Sequence, residues 1–193
     1  MISKKPYKDK YFSSNMRGVL ESKIDRIRLE RSIAAIPSDR DRMFITCLFL
    51  TGARISEVVK RLKGSDTRTE GGVLYVHLIT LKRRGRTKGM PREVPIMLTE
   101  SLAPDFLSFV LLNQGILFPF TRVTGWRIVK KYFEEYFPHY FRHARSTLIM
   151  REVDNFNVND LKVFHNWMST RMAEVYIHGD MRDVINKMKR GSK

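Results

Sequence analysis

The chain has 193 residues, with 36 Lys and Arg against 20 Asp and Glu, a formal net charge of +16. Hydrophobic residues make up 42% of it and aromatics 11%, enough to bury a core, which excludes a disordered polybasic tail. Cys47 is the single cysteine, which excludes a disulfide scaffold.

Residues 1–18 read as a polar, basic arm carrying Lys4, Lys5, Lys8 and Lys10. Ser22 to Ile36 predicts a helix with Ile24, Ile27, Ile33 and Ile36 near one face. Pro37 stops it, and Ser38 or Asp39 caps the next, about Asp41 to Leu50, apolar nearly all round and so buried. Gly52 suits the left-handed position after that helix. Ile55, Val58, Val59 and Leu62 then predict a third helix ending at Gly64.

Val73 to Leu81 reads as a strand, as does the short Glu93–Ile96. Between them lies a basic stretch, Lys82 to Arg92, which makes a hairpin with a long cationic tip. The rest reads as helical. One helix falls within Thr99–Asn113, where Pro104 should fall in its first turn or break it. Another spans about Thr124–Phe137, with Trp126, Val129, Phe133 and Phe137 on one face and Pro138 ending it. Phe141, Ala144, Leu148 and Ile149 mark the next, followed by Val158–Phe164, Ser169–Ile177 and a C-terminal helix over Asp180–Met188. The fold class expected is α+β: mostly helical, with a small antiparallel sheet.

The charge calls for a polyanionic partner, and nucleic acid comes first because neutralised phosphates release condensed counterions. A membrane surface is not expected, since the basic residues are spread along the chain rather than gathered on one amphipathic helix. The longest apolar stretches, around Met43–Leu50 and Phe109–Leu112, are too short to span a bilayer. The N-terminus, MISKKPYKDKYF, has no apolar signal core, so an intracellular, cytoplasmic location is expected. The five histidines lack ligand spacing and no glycine-rich nucleotide loop is present, so neither metal nor cofactor is expected.

Three segments carry the chemistry. Thr51-Gly52-Ala53-Arg54-Ile55-Ser56-Glu57 places an arginine at a helix start. His139-Tyr140-Phe141-Arg142-His143 places a histidine and an arginine three apart, on one face of a helical turn. Trp167 lies nine residues before Tyr176. Taken singly, each reads as ordinary core or surface.

Their order and spacing resemble the catalytic domain of the tyrosine recombinase (phage integrase) family. That family carries a TGxRxSE motif, a hairpin lysine, an HxxR motif, and a His or Trp nine residues before a nucleophilic tyrosine. The resemblance covers roughly residues 21 to 188, with Leu62–Asp66 (LKGSD) matching the turn after the arginine helix. It implies a catalytic domain over 21–193, preceded by the basic arm at 1–20, without the family's usual core-binding domain. The chain is then either a fragment or a minimal enzyme. Arg142 to Trp167 is 25 residues, about two more than the family pattern, and His165 stands two residues earlier as the reserve for Trp167.

The resemblance further implies a site-specific recombinase that cleaves and rejoins double-stranded DNA, with self-association as a tetramer. Tyr176 would attack phosphorus and form a 3′-phosphotyrosine, conserving bond energy without a cofactor. Arg54 and Arg142 would hold the non-bridging oxygens, because guanidinium is planar, permanently charged and bidentate. Lys82, with Lys88 as the alternative, would protonate the leaving 5′ oxygen. His139 would assist proton transfer or orient the phosphate. Trp167 would donate its indole N–H, and Glu57 would support the arginines. Arg83, Arg84, Arg86 and Lys88 would grip the backbone. A type IB topoisomerase-like activity and a catalytically silent DNA-binding protein remain as alternatives.

Overall fold

Ser38 and Gly52 delimit the helix on which the fold is built. In the computed structural model, which describes residues 24–81, 89–174 and 176, helix α1 spans Arg26–Ala34 and helix α2 spans Asp39–Thr51. The Ser38 hydroxyl accepts the Asp41 N–H, Asp39 and Asp41 lie in the first turn, and Gly52 closes the helix in the left-handed region at φ 56°. Every residue from Met43 to Thr51 is buried. That burial on all sides explains why α2 shows no polar face.

Around α2 pack the remaining elements: α3 (Ile55–Val58), strands β1 (Thr67–Glu70), β2 (Val73–Thr80) and β3 (Met90–Met97), then α4 (Ala103–Leu112), α5 (Arg122–Tyr132), α6 (Pro138–Glu152), α7 (Val158–His165) and α8 (Arg171–Glu174). The α+β class therefore stands. Phe44, Phe49, Phe106, Phe118 and Phe141 are completely buried and fill the centre. Among the described residues, no helix is long and apolar enough to cross a membrane.

Several elements differ from the sequence reading. Helix α1 starts only after Asp25, whose carboxylate accepts the Arg28 N–H. Leu29 and Ile33 make its buried face, while Ile27 is turned out and 62% exposed. Helix α3 is a single turn and does not reach Gly64. The chain turns at Lys60, φ 56°, so that the Lys60 N–H donates to the Phe118 carbonyl and the Leu117 N–H to the Leu62 carbonyl. Val58, Val59 and Leu62 are buried all the same; their helical spacing reflects a common destination, not a common helix.

The sheet has three antiparallel strands in the order β1-β2-β3. Strand β1 escaped notice because Thr67–Glu70 is polar and exposed. The signal lay in its turn: Gly71 and Gly72 both have positive φ, the two-residue geometry that a tight hairpin needs. Strand β3 begins at Met90, earlier than Glu93–Ile96 implies. Its register sets Arg92 opposite Leu78 on the buried face, so Arg92 belongs to the strand and not to a cationic tip.

Helix α5 ends at Tyr132, and Pro138 opens α6 rather than closing α5. The buried face of α5 is Gly125, Ile128 and Val129. A Cβ on Gly125 would stand 2.8 Å from Phe44 and from Ile55, so the helix packs through its glycine and Trp126 turns outward, 48% exposed. Of the span expected from Ser169 to Ile177, helix α8 is described over Arg171–Glu174, and Val175 and Ile177 lie outside the described residues. The arm at 1–20, the cations Lys82, Arg83, Arg84, Arg86 and Lys88, and the helix expected over Asp180–Met188 lie outside the described residues.

The turn at Gly64 ties this arrangement together. Its N–H donates to the Gly115 carbonyl, and an added Cβ would meet the Asn113 carbonyl oxygen at 2.1 Å. Gly64→Ala should therefore destabilise the fold by about 2 kcal/mol or more, because backbone must shift to make room. Urea unfolding reads this as a lowered midpoint with an unchanged slope.

Candidate active site

The C-terminal turn of α2 and the first two turns of α6 meet at one point. Gly52 can adopt its left-handed conformation because it lacks a side chain; a Cβ there would also stand 2.8 Å from His165 Cε1. Thr51 fixes the turn, its hydroxyl donating to the Cys47 carbonyl and accepting the Ala53 N–H at 3.1 Å. The Gly52 carbonyl is thereby aimed at α6, where it accepts Nη1 of Arg142 at 2.7 Å.

Arg142 is 1% exposed. Its Nη2 is buried and has no hydrogen-bond partner among the described residues. Burial, then repulsion from Arg54 and Arg92, pulls its guanidinium down to about 9, against the opposing pull of Glu57. It remains cationic at neutral pH.

Arg54 is the residue that caps α3. Its N–H donates to Glu57 Oε2 and its Nη1 to Glu57 Oε1, each at 3.0 Å. The Glu57 side chain is fully buried and also receives Nη2 of Arg92 at 3.4 Å. Arg92 in turn donates Nη1 to the Phe164 carbonyl at 2.8 Å, which ties β3 to α7. Burial dominates in lowering the Arg92 pKa. One buried carboxylate thus serves two arginines, with a third guanidinium close enough to feel both.

On α6, His139, Arg142, His143 and Ser146 follow at i, i+3, i+4 and i+7 and form one stripe. The His139 ring stands edge-on to His143, centroids 4.7 Å apart. Ser146 donates to the Arg142 carbonyl or shares its proton with His165 Nε2 at 2.7 Å. Helix α7 ends with Asn166 in the left-handed region, which turns Trp167 back across the site. Its ring lies 5.3 Å from the Arg142 guanidinium carbon and stacks on Tyr176, centroids 6.0 Å apart at 7°. Trp167 Nε1 is buried and unpaired among the described residues.

Tyr176 is 4% exposed, and its hydroxyl lies 2.5 Å from Nδ1 of His143. Burial pushes its pKa up to about 12, with Arg142, Ser146 and Arg54 pulling the other way. Burial, with Arg142 adding, takes His143 down to about 4. Burial, then repulsion from Arg142, Arg92, Arg54 and His139, puts His165 well below its ordinary value. The pair is neutral on both sides at neutral pH.

The structure therefore brings together Arg54, Glu57, His139, Arg142, His165, Trp167 and Tyr176. Both His165 and Trp167 are in the cluster, the histidine beneath Gly52 and Ser146, the tryptophan against Arg142 and Tyr176. Three participants escaped the sequence reading: His143, Ser146 and Arg92. The α6 residues were signalled by their spacing from His139. Arg92 had no such signal, since only strand register turns it inward. The surplus of buried cation and the unpaired donors on Arg142 and Trp167 suit an anion with several oxygens, of which a phosphodiester is one. Among the described residues no cluster could hold a metal ion.

The model of the phage integrase family matches residues 27–183. The tyrosine recombinase XerD of Shewanella oneidensis is 25% identical over 173 residues, covering 82% of this chain and 55% of its own. The fold resembles the XerH site-specific recombinase bound to its difH substrate (TM-score 0.60, 20% identity, 82% of this chain and 50% of the other). It also resembles the XerA recombinase (TM-score 0.64, 18% identity, 88% and 65%) and the Tn1549 transposon integrase in complex with transposon right end DNA (TM-score 0.60, 19% identity, 88% and 66%). The chain thus spans about half the length of XerD and XerH.

The neutral histidines make stability pH-dependent. Once pH drops below 6.5, the unfolded chain protonates imidazoles that the folded protein keeps neutral, down to about 4 for His143 and well below the ordinary value for His165. The unfolded state then binds more protons, so stability falls as pH falls through that window. Melting temperature should drop between pH 7.5 and pH 5, and His143→Asn should weaken the dependence. A melting temperature that holds or rises toward acid contradicts the neutral, buried assignment.

Proposed function

The chain belongs to the phage integrase family, and on that premise we propose that it is a site-specific DNA recombinase acting through a covalent 3′-phosphotyrosine on Tyr176. The observation that carries this reading is the Tyr176 hydroxyl, hydrogen-bonded to His143 in a cluster where the buried Arg142 keeps an unpaired Nη2 and Trp167 an unpaired Nε1. A nucleophile, phosphate-binding cations and an untitratable donor are what strand transesterification needs.

In cleavage, Arg54 and Arg142 hold the non-bridging oxygens of the scissile phosphate and stabilise charge in the transition state. Trp167 donates its N–H to the same group. Tyr176 attacks phosphorus; Lys82, or Lys88 in the same tip, protonates the departing 5′ oxygen. His139 orients the phosphate or assists that transfer. Glu57 fixes Arg54, and His165 supports the cluster through Ser146. Rejoining reverses each step, and the retained phosphoester bond supplies its energy, so no cofactor is required.

The substrate is double-stranded DNA, gripped by the excess positive charge of the chain and by Arg83, Arg84, Arg86 and Lys88. Recombination of two duplexes calls for self-association on DNA, with a tetramer as the working unit, in the intracellular compartment where DNA lies. Residues 1–20 act as a basic arm to the catalytic domain over 21–193.

The test is formation of a denaturant-resistant protein–DNA adduct on nicked suicide duplexes. The wild type should form it, Tyr176→Phe should not, and Arg142→Ala should slow it by about a hundredfold or more, the loss expected for one preorganised donor. An adduct that persists in Tyr176→Phe contradicts the nucleophile. Relaxation of supercoiled plasmid without recombinant products favours a topoisomerase-like activity instead.

A further inference from the structure

We propose that His143 is the base that receives the Tyr176 proton during strand cleavage and returns it during rejoining, and that a phosphate bound at Arg142 switches it on. This rests on the recombinase reading above and names a catalytic residue that the sequence motifs did not assign.

Three observations carry it. The Tyr176 hydroxyl lies 2.5 Å from His143 Nδ1, with the Ser146 hydroxyl also close enough to act on it. Both residues are buried, so solvent water is a poor proton acceptor there. His143 Nε2 is also buried and without a partner among the described residues, so a neutral ring can carry its proton on Nε2 and leave the Nδ1 lone pair for the phenol. His139 contacts the His143 ring edge-on, and Arg142 is the charged group bearing on the ring.

Without an anion the pair is a poor nucleophile. Burial and the Arg142 charge hold His143 near 4, while burial holds Tyr176 near 12. A phosphodiester seated on Arg142 offsets that charge, so an imidazolium beside it is no longer opposed. The proton then moves from Tyr176 Oη to His143 Nδ1 as the Oη–P bond forms and the P–O5′ bond breaks. The departing O5′ takes its proton from the separate acid, Lys82 or Lys88. In rejoining, the 5′-hydroxyl gives its proton back to Lys82 or Lys88 as its oxygen attacks phosphorus, the Oη–P bond breaks, and His143 returns its proton to the phenolate. The tyrosine is thereby kept inert until a scissile phosphate arrives.

The experiment compares single-turnover adduct formation on an ordinary suicide duplex and on one with a 5′-bridging phosphorothiolate. Sulfur leaves without needing a proton, so this substrate bypasses the acid but not the base. His143→Asn keeps a side chain able to hydrogen-bond the phenol but cannot take up its proton. It should slow adduct formation by about a hundredfold or more on both substrates, within the usual range for a lost proton acceptor. The acid variant, Lys82→Ala or Lys88→Ala, should recover on the sulfur substrate. Added imidazole should raise the rate of His143→Ala, which a merely structural role would not allow. Thermal melting and DNA binding of each variant confirm that it is folded. A His143→Asn protein that cleaves at the wild-type rate, or that is restored by the sulfur substrate, overturns the base assignment. If the wild type forms no adduct on either substrate, the recombinase reading itself has failed.

Discussion

One buried carboxylate holds the arginine cluster together. Glu57 accepts two bonds from Arg54 and one from Arg92, and its field reaches Arg142. Burying a guanidinium costs several kcal/mol unless it is paired and its donors are satisfied. Glu57 offsets that cost for Arg54 and Arg92, but a single negative charge does not balance three positive ones. The geometry of the fold follows: α3 begins where Arg54 can turn back on Glu57, β3 reaches far enough to present Arg92, and α7 offers the Phe164 carbonyl as its second acceptor. Arg142 is left with one nitrogen on the Gly52 carbonyl and one unpaired. The deficit of negative charge lies where a phosphate would supply it.

How much of this could be read beforehand depended on what each residue answers to. Helix α2, its Ser38 cap and its glycine terminus were legible because capping and burial are local. Arg54, Glu57, Arg142, Trp167 and Tyr176 were legible as a set only because their order and spacing resemble those of the phage integrase family. Arg92 was not: it sits among cations in sequence, and only the pairing of β2 with β3 turns it into the core. Helix α3 was overread because Val58, Val59 and Leu62 are buried at helical spacing while the backbone leaves the helix at Lys60 to join the segment around Phe118. Strand β1 was missed because a polar edge strand shows no hydrophobic alternation. His143 was visible as the neighbour of Arg142, but its bond to Tyr176 depends on how far the chain after α7 doubles back.

The net charge of +16 acquires structure from this arrangement. In the proposed reaction Arg54 and Arg142 serve one scissile phosphate, while Arg92 donates to Glu57. The remaining positive charge would then supply salt-sensitive attraction along a backbone, without sequence information. The neutral Tyr176–His143 pair complements it. In the proposed mechanism the phenol and the imidazole, held on opposite sides of their useful range, stay inert until an anion on Arg142, the arginine that depresses the imidazole, relieves it.

In the proposed reaction Tyr176 becomes joined to the 3′ phosphate of a cleaved strand. Tandem mass spectrometry of the trapped adduct after nuclease and protease digestion reads this bond most directly. A single nucleotide remnant, esterified through its 3′ phosphate to Tyr176, is expected. A remnant on another side chain, such as Tyr140, or linkage through a 5′ phosphate would contradict it.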